Sequence, residues 1–257
     1  MRFCCALALV GFASLGYCQS ELIGSGRFPE TREMSGLPGG SFGVLRNGTP
    51  SFAGAMAFST PIAYSLDHWH WAMGVNSASS DMRFRGFDTN ASGQTSSGTG
   101  ELMVGIPSRI GAWTLALMPI SVHINDEVAT NILFTPNQSG TVTWAAGVQD
   151  VQGITHTFRP REHRSSRSPF VVGTANPVEG GYVSLGIGNQ RFGGVFGNAS
   201  QTFGNFKALA EYDTYNWNYG VAGNLGHFKA GSRDVNATLY AGYIRGKYAT
   251  WSLTFSF

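Results

Sequence analysis

The chain has 257 residues and a formal net charge of +2, and only 12% of it is charged, about half the roughly 25% of an ordinary soluble domain. Glycine (35 residues) and aromatics (13%) are abundant, with many Ser, Thr and Asn. That balance argues against a helical protein, favours many short strands and turns, and offers no basic field for nucleic acid.

The chain opens "MRFCCALALVGFASLGYCQS". One Arg, an apolar run from Phe3 to Phe12 and small residues before a cut after Cys18 have the layout of a secretory signal peptide, so residues 1–18 are expected to be removed. The run is too short for a membrane helix, which needs roughly 20 apolar residues. A lipoprotein acylated at Cys18 is the alternative, but Tyr17 is bulky where a small residue belongs. The three cysteines (Cys4, Cys5, Cys18) all fall in this stretch. A product cut after Cys18 therefore has no disulfide framework and no thiol or Cys-based metal chemistry.

Residues 19–40, with "SGLPGGS", read as an irregular arm that could plug a lumen. Residues 41–257 read as one domain of alternating segments. "HWHWAMGVN" sets Trp69, Trp71, Met73 and Val75 on one face, and His68 and His70 on the other. "ELMVGI", "WTLAL", "TVTWAAGVQ", "YVSLGIG", "FKALAEY", "WNYGVAGNL" and "VNATLYAGY" alternate likewise. "NASGQTSSGTG" (90–100) reads as a polar loop, and "GNQRFGG", "DTYN", "HFKAGSRD" and "RGK" as turns.

The polar faces of these segments carry Gly, Asn, Thr and Ala, too little charge for a solvated exterior. The apolar faces carry aromatics near strand ends, as in the girdles of a membrane barrel. The fold expected is all-β: an antiparallel transmembrane β-barrel of about 12 strands, within a range of about 10 to 14, in a bacterial outer membrane.

The last hairpin supports this. With "RGK" (Arg245–Lys247) as a three-residue turn, Tyr243 faces Ala249, Ala241 faces Trp251, Leu239 faces Leu253 and Ala237 faces Phe255, apolar against apolar throughout. With an even strand number both ends lie on the periplasmic side. "RGK", "DTYN", "GNQRFGG" and "RPREHRSSR" then fall on the outer side, and the turns near Ser232 and Thr202 on the periplasmic side. Trp251, Leu253, Phe255 and Phe257 form an outward aromatic end of the kind presented to the outer-membrane assembly machinery.

"WAAGVQDVQG" (144–153), "VSLGIGNQRFGGVFGNAS" (183–200) and "ALAEYDTYNWNYGV" (208–221), in that order, resemble the YjbH family of outer-membrane barrel proteins, and "MSGLPGGSFGV" faintly resembles its N-terminal arm. The resemblance lies mainly over residues 140–257 and implies a role with exopolysaccharide or capsule. It carries over no catalytic residue.

Three constellations could carry chemistry. His68 and His70 could ligate a metal with a third group, but only Asp67 is near, so polar filling of the lumen is preferred and no metal site is expected. Lys207, Glu211 and Asp213 share one face and suggest a lumen charge network rather than an acid/base pair. Arg159, Arg161, Arg164 and Arg167 sit in one loop. Solvated cations are the default there, and contact with lipopolysaccharide phosphates or an acidic polysaccharide is the sharper alternative.

No Gly-x-Ser-x-Gly elbow and no phosphate loop occurs in the sequence. The function expected is therefore a non-enzymatic envelope protein without cofactor, supporting surface exopolysaccharide assembly or export. Its expected partners are outer-membrane lipid, lipopolysaccharide and the assembly machinery. A porin-like passive channel is the alternative, and a barrel enzyme a more distant one.

Overall fold

The computed structural model describes residues 35–78, 98–122, 125–153, 167–214, 216–244 and 248–257. Among them lie twelve strands: β1 (Trp71–Ala78), β2 (Gly98–Ser108), β3 (Gly111–Val122), β4 (Asn125–Pro136), β5 (Val142–Gln149), β6 (Ser168–Val178), β7 (Gly181–Gly188), β8 (Val195–Phe203), β9 (Phe206–Tyr212), β10 (Trp217–Ala230), β11 (Arg233–Ile244) and β12 (Tyr248–Ser256). Each pairs antiparallel with its neighbours in sequence, and β1 pairs with β12 to close the barrel. Closure gives every strand a partner on both sides, although β4 and β5 share only three residue pairs.

Alternation decides which side chains face out. On β7, Val183, Leu185 and Ile187 are exposed while Ser184 is buried. On β3, Trp113, Leu115 and Leu117 point out, and Thr114, Ala116 and Met118 point in. The exterior is thus apolar and the wall facing the lumen is largely Thr, Ser, Asn and small residues, the inverse of a soluble barrel. Outward aromatics gather toward both rims. Trp113 stacks on Phe134 at 4.3 Å near one, and Tyr212, Trp217 and Tyr219 follow one another near the other.

The β11–β12 register has Tyr243 opposite Ala249, Ala241 opposite Trp251, Leu239 opposite Leu253 and Ala237 opposite Phe255, as the apolar matching requires. The three-residue turn itself lies outside the described residues.

An eight-stranded barrel is just wide enough for its own side chains to fill it. Twelve strands enclose more space, and residues 35–66 occupy it. Residues 41–66, grouped by their sequence with the barrel-forming stretch, lie mostly inside the barrel with residues 35–40, leaving Arg46, Asn47 and Ala53 exposed, and the first strand starts only at Trp71.

The inner segment doubles back on itself. Val44 and Ala55 exchange backbone hydrogen bonds, and Ala57 donates to the Gly39 carbonyl at 2.8 Å. Gly54 permits the close approach, because a Cβ there would stand 2.2 Å from the Val44 carbonyl carbon. Leu37, Phe42, Val44, Met56, Phe58, Ile62, Tyr64 and Leu66 are buried between the segment and the wall. Phe58 stacks on Tyr240 of β11, ring centroids 4.3 Å apart and planes 13° apart. Gly220 makes room for that tyrosine, since a Cβ on it would meet the phenol oxygen at 2.2 Å.

Candidate functional site

An irregular segment inside a barrel has backbone N–H and C=O groups that no ladder satisfies, so wall side chains must satisfy them. The densest such contacts form a latch near the rim that carries the β7–β8 and β9–β10 turns.

On β9, alternation turns Lys207, Leu209 and Glu211 inward. Register places Asn198 of β8 and Asn218 of β10 on either side of Glu211, so an Asn–Glu–Asn row crosses three strands on the lumen face. The Glu211 carboxylate accepts the backbone N–H groups of Phe58 (3.0 Å), Ser59 (3.0 Å) and Thr60 (3.3 Å). It also accepts the Ser59 and Thr60 hydroxyls and, at 2.9 Å, the Asn218 amide. Asn198 donates to the Thr60 hydroxyl at 2.9 Å and to the Pro61 carbonyl at 3.1 Å.

From the β7–β8 turn, Arg191 donates to the Ser59 carbonyl and to Gln149 Oε1. Gln149 in turn donates to the Ser35 carbonyl. Residue 59 is therefore held by an anion on its N–H and a cation on its C=O, so both charges follow the polarity of the backbone. Charge-assisted bonds of this kind are roughly twice as strong as neutral ones.

Toward the opposite rim, Lys207 donates to the Gly54 carbonyl and lies 5.6 Å from the Phe52 ring and 5.7 Å from the Tyr182 ring. Wall hydroxyls complete the attachment: Thr114 accepts from Leu66 N–H and Thr174 from Ala63 N–H, each at 2.8 Å.

The structure thus buries Lys207, Glu211 and Asp213 in the lumen, but it divides their work. Asn218 links Glu211 to Asp213, at 2.9 and 3.4 Å. Lys207 instead holds a different turn of the inner segment. Arg159, Arg161 and Arg164 lie outside the described residues, and Arg167 donates to the Val151 carbonyl at 2.6 Å.

His68 and His70 precede β1 and do not share an inward strand face. His68 and Trp69 have left-handed φ of 52° and 59°, which breaks the alternation. His68 is exposed, with Nδ1 3.4 Å from Asp67. Trp251 is exposed, Leu253, Phe255 and Phe257 are half-buried, and Phe257 exchanges backbone hydrogen bonds with Trp71 at the closing seam.

Gln149, Arg191, Asn198 and Asn218 were not singled out from the sequence. All four stand inside the stretches 144–153, 183–200 and 208–221, and two share a row with Glu211.

No family model and no curated protein matches the chain. Among solved structures, it is similar to a KdgM porin, with TM-score 0.45, 11% identity, and coverage of 73% of this chain and 98% of that one. It is also similar to the Salmonella typhi outer membrane phospholipase (OMPLA) dimer with bound calcium, with TM-score 0.38, 9% identity, and coverage of 75% and 91%. Likenesses this distant assign no role.

Proposed function

We propose that the chain is a non-enzymatic outer-membrane barrel, closed at rest by residues 35–66, that supports surface exopolysaccharide assembly or export. The apolar exterior with aromatics toward both rims supports the membrane setting. The observation that carries the reading is the latch. Three separated stretches that resemble YjbH-family proteins supply Gln149, Arg191, Glu211 and Asn218, and all four converge on residues 35 and 58–60. The inward charges thereby hold backbone, which favours a structural over a catalytic use.

Deleting the gene is expected to reduce surface polysaccharide, and a chain with Glu211 replaced is expected to restore it less well than the wild type. An unchanged polysaccharide profile after deletion sinks this role while leaving the barrel intact.

A porin-like passive channel is the second reading, favoured by the polar wall of Thr114, Asn131, Thr174, Ser184 and Thr238. Passage by that route requires the inner segment to move. Steady conductance of the untreated protein in a planar bilayer would favour the channel.

A further inference from the structure

The wall facing Ser41 differs from the rest of the lumen. Gly74 and Asn76 point inward from β1. β12 sets Thr254 and Ser252 opposite them, and β2 sets Glu101 opposite Gly74. Gly74 has no side chain, and the space above it is bounded by the Thr254 hydroxyl and Glu101 Oε1, which would stand 2.7 and 2.8 Å from a Cβ there.

Asn76, Glu101 and Ser252 are 2%, 3% and 0% exposed. Among the described residues, both polar side-chain atoms of Asn76 and the Ser252 hydroxyl have no hydrogen-bond partner, and Glu101 has only the Ser41 and Thr254 hydroxyls beside it. Both hydroxyls are shared with other partners: they bond to each other at 2.9 Å, and Ser41 also bonds to the Gly40 carbonyl at 2.6 Å. Among the described residues no ion pair reaches Glu101.

The contrast with Glu211 is sharp. That carboxylate lies equally deep in the same wall and is ringed by donors. A buried carboxylate beside only two shared hydroxyls needs a proton or a countercharge. The groups gathered here are a carboxylate, an amide whose oxygen can be turned to the site, and a hydroxyl. They are all oxygen ligands, with no imidazole or thiol, which suits alkali and alkaline-earth ions rather than transition metals.

We propose that Glu101, Asn76 and Ser252 form a hard-cation site at the seam where β1 closes on β12. The ion would sit against Ser41 of the inner segment and so tie the segment to the closure. This inference does not depend on the polysaccharide role.

The test uses the full chain folded in detergent, stripped with EDTA and dialysed free of chelator. CaCl2, MgCl2 and NaCl are titrated in separate calorimetric experiments, and thermal unfolding is followed with each. The expectation is about one ion bound per chain and a higher melting temperature in its presence, since a ligand that binds only the folded state stabilises it. The three salts distinguish divalent from monovalent occupancy. Glu101→Gln keeps the shape and removes the charge, and should weaken binding by about tenfold or more and abolish the melting shift. Ser252→Ala, a smaller change, should weaken binding less. Heat-modifiable gel migration verifies that each variant folds. If the wild type binds none of the three ions, the site is refuted, and Glu101 is then held as the neutral acid. Equal binding by wild type and Glu101→Gln overturns it too, by placing the ion elsewhere.

Discussion

Two carboxylates on the inner wall divide the residue-scale physics. Glu211 accepts from six donor groups of the inner segment and β10, and removing it strands several of them. Glu211→Ala is expected to cost about 3 kcal/mol or more, because each orphaned buried donor adds its own desolvation penalty. Glu211→Gln keeps an acceptor and should cost less. The measurement is the urea midpoint of the detergent-folded protein at unchanged slope. A Glu211→Ala midpoint within error of wild type would remove the latch from any account of stability.

Lys207 predicts the opposite sign of lesson. Its amine holds one carbonyl against two rings, so an apolar side chain of similar size removes a buried charge and strands a single acceptor. Lys207→Met should therefore cost clearly less than Glu211→Ala in the same assay. A larger loss would mean that the Gly54 carbonyl, not Glu211, is the principal anchor. From the sequence, Lys207 and Glu211 look like partners because opposite charges share a face. The inner backbone that separates them leaves no mark on the strand pattern.

At the scale of elements, alternation makes the wall legible. A period of two states which residues face out, and on β11 and β12 it also fixes the register, since a slip by one residue would oppose apolar to polar. Legibility fails where the period fails. His68 and Trp69 look alternating in sequence, but left-handed backbone ends the pattern before β1 begins. Residues 41–66 have apolar side chains in plenty and no usable period. Their place is set by backbone groups meeting wall hydroxyls and amides, and any sequence offers such groups equally. Arg191 and Gln149 act through backbone carbonyls for the same reason.

The outward faces give this scale its prediction. Leu185 is 63% exposed on β7, between Val183 and Ile187. If that face meets lipid, Leu185→Arg should destabilise the protein refolded in vesicles by about 2–4 kcal/mol when the site lies near the bilayer midplane. The same change on a water-facing strand would be nearly silent. Urea unfolding from vesicles, read by tryptophan fluorescence, separates the two, and a cost below about 0.5 kcal/mol, the range of an ordinary surface substitution, would count against a lipid-facing β7.

For the whole molecule, what matters is the unequal holding of wall and filling. The wall is a closed barrel of twelve strands held by backbone pairing between neighbours, shortest at the three residue pairs between β4 and β5. The inner segment has a few bridges of its own and depends on side chains for the rest. Elements with sparse backbone pairing open at lower free energy than the ladder around them. In a planar bilayer the wild type is therefore expected to be silent, and moderate urea should produce reversible openings well below the concentration that unfolds the barrel. Glu211→Ala should lower the urea needed, because it releases residues 58–60 from the wall. Lys207→Met should lower it less. Steady current without urea would mean that the segment does not seal the lumen. Loss of the barrel before any opening would mean that segment and wall unfold as one unit, and the latch would then serve closure of the barrel rather than control of a passage through it.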